Sequence, residues 1–258
     1  MIRVENVRKD YGDKPVLRDI DIAIPTGKLT ALIGPNGAGK TSLLMLIARL
    51  LDPTQGRILI DGRPIAGIPV RDYARRVATL RQSPDFNLRL TVEELVGFGR
   101  FPHSRGAMTA TDQAAVSDAL AFLSIEHLRG SHVDELSGGQ RQMAFLAMTI
   151  AQQTECLLLD EPLNNLDMKH SVAIMRALRR LCDEQGRTIV LVIHDINFAA
   201  AHADHMIAIR NGHLHSSGAV ADMVTPANLR SLYDLDFEVV HTLRGIFCNY
   251  FNPSGDTA

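Results

Sequence analysis

The segment LTALIGPNGAGKT, residues 29–41, restricts the fold of this chain more than any other. An apolar run leads directly into Gly34, Pro35, Asn36, Gly37, Ala38 and Gly39, and then Lys40, Thr41 and Ser42 open a helix-like stretch. The spacing is G-x-x-x-x-G-K-[ST], with a strand signal before it and a helix signal after it. The glycines let backbone wrap a phosphate chain, Lys40 supplies a point charge for the β- and γ-phosphates, and the Thr41 hydroxyl can bind Mg²⁺. A dinucleotide fold would need G-x-G-x-x-G without this lysine, and the glycines here are spaced otherwise. The loop therefore implies a nucleoside triphosphate held on an α/β core.

Two further apolar runs support that core: CLLLD (156–160) and TIVLVIH (188–194). Like the run at 29–34 they are nearly continuous rather than alternating, which suits strands buried on both faces of a parallel sheet. Helices are expected over Lys40–Leu51, over Met168–Glu184 closed by Gly186, and over Ile196–Ala203. Ligands of such sheets gather at the carboxyl ends of the strands, so Gly34, Asp160 and His194 are expected to share one rim. The first thirty residues alternate apolar and polar, which predicts an antiparallel element beside the core. Strand signals vanish between about Ser83 and Ala151, where Thr91 with Glu94 forms a capping box and TDQAAVSDALAFLSI reads as an amphipathic helix. FEVVHT and IFCNYF, flanking LRG, read as a hairpin.

The expected fold is thus α/β, a P-loop NTPase core with a mainly parallel sheet, an N-terminal antiparallel β element and an inserted α-helical subdomain. The expected organisation is one domain, with residues 1–82 and 152–225 as core, 83–151 as helical subdomain and 226–258 as a C-terminal extension. A chain of 258 residues with 46% hydrophobic content has enough apolar mass for this. A net charge of −2 argues against general attachment to nucleic acid. The three cysteines, Cys156, Cys182 and Cys248, form neither a disulfide framework nor a CxxC pair, so a reducing compartment fits. No signal peptide is expected at the N-terminus, and no stretch approaches the roughly 20 apolar residues of a membrane span.

Asp160 ends its strand where a carboxylate can hold the Mg²⁺ shell, and Glu161 follows, placed to deprotonate a water attacking the γ-phosphate. His194 ends another strand and could hydrogen-bond that phosphate. His202 with His205, and His213 with His215, have metal-compatible spacing, but no carboxylate or cysteine cluster completes a site. Gln82 could touch Mg²⁺ and the water and then move with the helical lobe. Tyr11 lies in a polar turn and could stack on a base, although a surface tyrosine is its ordinary reading. The arginines of RDYARRVATLR read as a solvated helix face, with a partner contact as the alternative. LSGGQRQ opens another helix, where Ser137 and Gln140 form a capping box. Capping does not require Gly138 and Gly139, each costing about 1 kcal/mol against alanine inside a helix. Their smallness suggests a close approach to the helix N-terminus, and a second copy's ATP is the approach that makes sense of a second anion grip.

Together these residues resemble the nucleotide-binding subunit of an ABC transporter, with every motif in the family's order over nearly the whole chain. The resemblance implies ATP and Mg²⁺ as cofactors. Tyr11 would be the adenine-stacking residue, Gly34–Thr41 the Walker A loop, Gln82 the Q-loop glutamine and Ser137–Gln140 the signature. Asp160 and Glu161 would be Walker B, Asp167 the D-loop and His194 the switch histidine. It further implies a head-to-tail homodimer sandwiching two ATPs, two integral-membrane permease subunits, and indirectly a substrate-binding protein. The place of work would be the cytoplasmic face of the bacterial inner membrane, as a peripheral subunit. FNLRLTVEELVGFGRFPHSRG and DEPLNNLDMKHS are similar to the ATPases of iron-chelate (siderophore) importers, with vitamin B12 and haem importers as near relatives. A soluble ABC ATPase of the iron–sulfur assembly type is the rival class. Two departures from the family are the order Lys-Thr-Ser and Met143, which stands where arginine is frequent and suggests a missing helix-surface ion pair.

Overall fold

Alternation at the N-terminus becomes strands β1 (Ile2–Tyr11) and β2 (Lys14–Ile24), antiparallel with Ile2 opposite Ile24. The computed structural model describes residues 1–81, 89–243 and 245–251. The chain divides into two units, Met1–Gly67 with Val190–Ala258, and Ile68–Ile189. The first unit continues with β3 (Leu29–Ile33), α1 (Lys40–Ile47), β4 (Gln55–Ile60) and β5 (Arg63–Pro64). The second holds α2 (Val70–Ala74), β6 (Val77–Leu80), α3 (Val92–Phe98), α4 (Phe101–Ser104), α5 (Ala110–Phe122) and α6 (Gly138–Ala151). It then adds β7 (Cys156–Asp160) and α7 (Met168–Gln185). Strand β8 (Thr188–Val192) straddles the division. The first unit resumes with α8 (Ile196–His202), β9 (His205–Arg210), β10 (His213–Ala219), α9 (Val220–Met223), α10 (Pro226–Tyr233), β11 (Glu238–Thr242) and β12 (Gly245–Asn249).

In the first unit an antiparallel sheet runs β2-β1-β4-β5, and a second layer runs β10-β9-β3 and on to the end of β8. β3 and β9 are parallel, and the Ile193 N–H donates to the Leu32 carbonyl, so the ends of β8 and β3 lie side by side. In the second unit β6 and β7 are parallel, with Val77 opposite Cys156, and α3, α5 and α6 pack on one another. Every residue of β3, β7 and β8 is buried. That is what a continuous apolar run requires, each large side chain contributing about 1.5–3 kcal/mol by leaving water. No helix among the described residues is long and apolar enough to cross a membrane.

The expected P-loop core, N-terminal antiparallel element and helical insert are all present, with local differences. α1 stops at Ile47 rather than Leu51 because Arg49 adopts φ 58 and the Leu50 N–H reaches back to the Met45 carbonyl. That geometry closes a helix by satisfying its last carbonyls. α7 ends as anticipated, on Gly186 at φ 64. α8 stops at His202, and Asp204 exchanges bonds with Leu29 through both its N–H and its carboxylate. Strands β4, β5, β9 and β10 were not anticipated. The arginines of the 71–81 stretch are not simply a solvated face. Arg71 and Arg75 donate to the Pro102 carbonyl at 2.8 and 3.1 Å, closing α4, and Arg76 pairs with Glu155. Met143 is buried in α6, so the missing ion pair is not a surface feature.

Candidate functional site

The phosphate-loop residues sit in the first unit, between the end of β3 and the start of α1. Gly39 is the N-cap of α1 at φ 105 and caps the helix with no side chain, so backbone and the positive end of the helix dipole face the loop, as at other anion-binding helix ends. Gly34 has no room for a side chain, since a Cβ there would meet the Ile209 carbonyl oxygen at 2.0 Å. The Ala38 N–H donates to the Pro35 carbonyl, and the Gly212 N–H donates to the Ala38 carbonyl at 3.2 Å, bracing the loop from behind. Lys40 is only 5% exposed, and its ammonium donates to the carbonyls of Gly34 and Pro35 at 2.8 and 2.9 Å. The charge is thus held inside the loop, where phosphate oxygens would arrive.

The same unit places Tyr11 beside this helix. Its hydroxyl lies 3.5 Å from the Ser42 hydroxyl, its ring is about half exposed, and the Lys9 ammonium sits 5.2 Å from the ring centroid. An exposed ring at the mouth of a phosphate loop can accept a stacked base. His194 is exposed just past β8, immediately before Asp195, the N-cap of α8, which accepts from the N–H groups of Asn197 and Phe198. Because the ends of β8 and β3 are neighbours, His194 and Gly34 lie at the same end of this layer.

The second unit carries the acidic residues and the LSGGQ turn. Asp160 is buried at the end of β7. Glu161 follows at φ 51, a left-handed conformation unusual for glutamate, and accepts a hydrogen bond from the Asn164 amide. Such backbone strain concentrates where a side chain must be aimed. Asn164 was not anticipated; its spacing of three from Glu161 across the DEPLN turn is the only signal the sequence offers. Ser137 caps α6 as anticipated, its hydroxyl accepting from the Gln140 N–H at 3.3 Å while the Gln140 side chain accepts from the Ser137 N–H. The two glycines then part company. A Cβ on Gly139 would meet the His170 ring at 2.4 Å, so this glycine serves packing within the chain. A Cβ on Gly138 would meet only the Asn165 carbonyl at 4.0 Å, so its open side is the one a visitor can use. The His170 ring is in turn bound by Asp167, which caps α7 and accepts from both the N–H and the ring of His170. Those bonds, the backbone one foremost, lower the Asp167 pKa.

Gln82 lies outside the described residues. Among the described residues no group of three histidine, cysteine or acidic side chains is arranged for a metal. All three cysteines are buried thiols, and burial pushes Cys156 up to about 12.

A strand, an uncapped helix N-terminus and a buried lysine on loop carbonyls define a nucleoside-triphosphate-binding protein of the P-loop class. Residues 17–164 match the ABC transporter family, and the chain belongs to it. It is 46% identical over 239 residues to the petrobactin import ATP-binding protein YclP of Bacillus subtilis (strain 168), covering 93% of this chain and 95% of that one. The iron(3+)-hydroxamate import ATP-binding protein FhuC of the same organism is 39% identical over 241 residues, covering 93% and 90%. A solved metal-chelate type ABC transporter in an inward-facing conformation matches with a TM-score of 0.84 at 25% identity, covering 99% and 98%. A dimeric ATP-binding cassette, in a post-hydrolysis state with ADP and Pi, matches at 0.75 and 27% identity, covering 85% and 99%.

Proposed function

We propose that this chain hydrolyses ATP to drive import of a ferric siderophore or related iron chelate. The carrying observation is the match along 93% of the chain to import ATP-binding proteins named for iron chelates. Those relatives are named for different chelates, which supports a subunit that powers transport without reading the cargo.

In this reading Gly34–Ser42 cradle the phosphates, Lys40 neutralises them, and Tyr11 stacks on adenine. Thr41, Asp160 and Gln82 offer oxygen ligands of the kind a hard cation such as Mg²⁺ takes. Bound there, Mg²⁺ would neutralise charge on the β- and γ-oxygens. Glu161, aimed by Asn164, takes the proton of the attacking water, and His194 engages the γ-phosphate. Ser137, Gly138 and Gln140 meet the nucleotide of a second copy in a head-to-tail dimer, Gly139 joining them through its backbone N–H while its α-carbon packs on His170, with Asp167 holding the adjoining turn. The dimeric cassette among the solved relatives favours that assembly. The Gln82–Arg105 region, at the start of the helical subdomain, would pass the motion of the dimer to its two permease subunits at the cytoplasmic face of the membrane, downstream of a substrate-binding protein. A groove of about 440 Å³ supports this surface, with Phe98, Phe101 and Met108 exposed along it and Glu93 and Glu94 at its side.

The test is uptake of radiolabelled iron chelates, under iron limitation, in a strain lacking the gene and complemented with wild type or Glu161→Gln. Uptake should return with wild type alone. Unchanged uptake in the deletion strain across catecholate and hydroxamate chelates would refute the iron assignment.

A further inference from the structure

The C-terminal segment approaches the nucleotide residues of its own unit from two sides. The first runs through α10. Arg210, at the end of β9, donates to the Ser231 carbonyl and pairs with Asp234 at 2.5 Å, gripping the last turn of α10. Ile209, the residue before it, presents the carbonyl that excludes any side chain from Gly34. The Tyr233 hydroxyl is buried without a hydrogen-bond partner. Burial raises its pKa to about 12.

The second approach runs through β12. Asn197, in the first turn of α8, donates its amide to the Cys248 carbonyl at 3.1 Å and accepts from the Cys248 N–H at 2.7 Å. One side chain thus satisfies both backbone groups of a buried strand residue, as a neighbouring strand would. His194 stands three positions upstream, outside the N-cap of the same helix. The end of α10 and the residue after β12 are bridged by tilted ring contacts, Tyr233 to Phe237 at 5.9 Å and Phe237 to Tyr250 at 5.4 Å.

We infer that α10 and β12 are positioning elements for the nucleotide site, α10 setting the back of the phosphate loop and β12 setting the turn that carries His194. This rests on the ATPase reading above. The two contacts act at different stages. The loop holds ATP before and during reaction, so disturbing its backing weakens binding. The His194 turn acts on the γ-phosphate during hydrolysis, so loosening it slows turnover.

The experiment is steady-state ATP hydrolysis by the full chain, with the Kd for a fluorescent ATP analogue and the Tm measured alongside. Asn197→Ala should lower kcat by about tenfold, equivalent to about 1.4 kcal/mol in the barrier, with KM within about twofold. Asn197→Asp, which still accepts from Cys248, should recover part of the loss. Arg210→Met, which releases the Ser231 carbonyl and Asp234, should raise KM and Kd by about threefold with kcat retained, a loss of uniform binding. Wild-type kcat and KM in both Asn197→Ala and Arg210→Met, whatever their Tm, would overturn the inference and leave the segment a cover for α8. Glu161→Gln run in parallel separates the two failures: wild-type turnover there would sink the ATPase reading itself.

Discussion

Replacing Arg100 by methionine should be among the most damaging single changes in the helical part of the second unit. Arg100 is 3% exposed, as is Asp112, and its Nε donates to the Asp112 carboxylate at 2.9 Å. Its other donors go to the Ala151 carbonyl at 2.8 Å and the Gln153 side chain at 3.0 Å. One guanidinium therefore joins the entry to α4, the first turn of α5 and the end of α6. Methionine fills much of the same space but strands the carboxylate without its counter-charge. Breaking one side of a buried pair costs about 3–5 kcal/mol, because an uncompensated charge remains inside. The total available to a domain is only about 5–15 kcal/mol. Arg179–Asp183 and Arg180–Glu184, the exposed pairs on α7, have the same chemistry, yet removing one of them should cost only about 0.3–0.5 kcal/mol.

Urea unfolding followed by circular dichroism measures the difference, with hydrogen exchange to locate it in α3–α6. At a slope of about 3 kcal/mol per molar, the Arg100→Met midpoint should fall by about 1 M or more with the slope unchanged. The double variant Arg100→Met/Asp112→Leu should regain much of the loss, since no charge is then left behind. A single-variant loss below about 1 kcal/mol, or a double variant no more stable than the single, would refute the reasoning.

Two further outcomes follow from the same unit. Gly139→Ala should lower Tm because its Cβ overlaps the His170 ring, and His170→Ala should restore it; Gly138→Ala should keep Tm while lowering ATPase activity, the effect of obstructing only an incoming nucleotide. Asp112 titrates at about 2 in the fold against its ordinary 3.8, held down first by the Thr109 hydroxyl, then by the Thr109 N–H and Arg100. A depressed folded pKa gives stability that is complete above the unfolded value and lost as pH falls from about 4 towards 2. Acid titration of Tm should show that limb, and Asp112→Asn should flatten it.

What the sequence disclosed was the chemistry that depends on residue type and spacing within a few positions. The loop from Gly34 to Ser42, the capping boxes at Thr91 and Ser137, and the closure of α7 by Gly186 are all of this kind. Four strands escaped, and not all for want of apolar residues: β9, HMIAIR, holds the buried run MIAI, too short to tell strand from helix by periodicity. β10 is HLHSSGA, half-exposed and polar. Its pairing with β9 is announced instead by Asn211-Gly212, with φ of 51 and 78, a turn type that twists two strands together. The glycine pair shows a deeper limit. Both glycines suggested room for a ligand, but Gly139 is small because a histidine ring from α7, thirty-one positions along, lies against it. No local pattern contains that distance. Arg71 and Arg75 escaped for the same reason, since their partners are carbonyls at the end of a four-residue helix.

The two helix N-termini also differ in a way that bears on their proposed tasks. α1 begins on a glycine with no side-chain cap and carries Lys40 in its first turn. α6 begins on Ser137, whose hydroxyl already satisfies the Gln140 N–H, and has no charged residue in its first three positions. Both ends offer backbone donors and the positive end of a helix dipole, but only the first carries a full charge at its opening position; on α6 the charge comes three residues later, at Arg141. A grip that retains its own subunit's ATP gains from that charge. A grip that must close on a partner's ATP and release it after hydrolysis has to differ little in free energy between its two states, since a ligand shifts an equilibrium only by its differential affinity. In the proposed dimer, the absence of a lysine from LSGGQ would be part of how the second contact stays reversible.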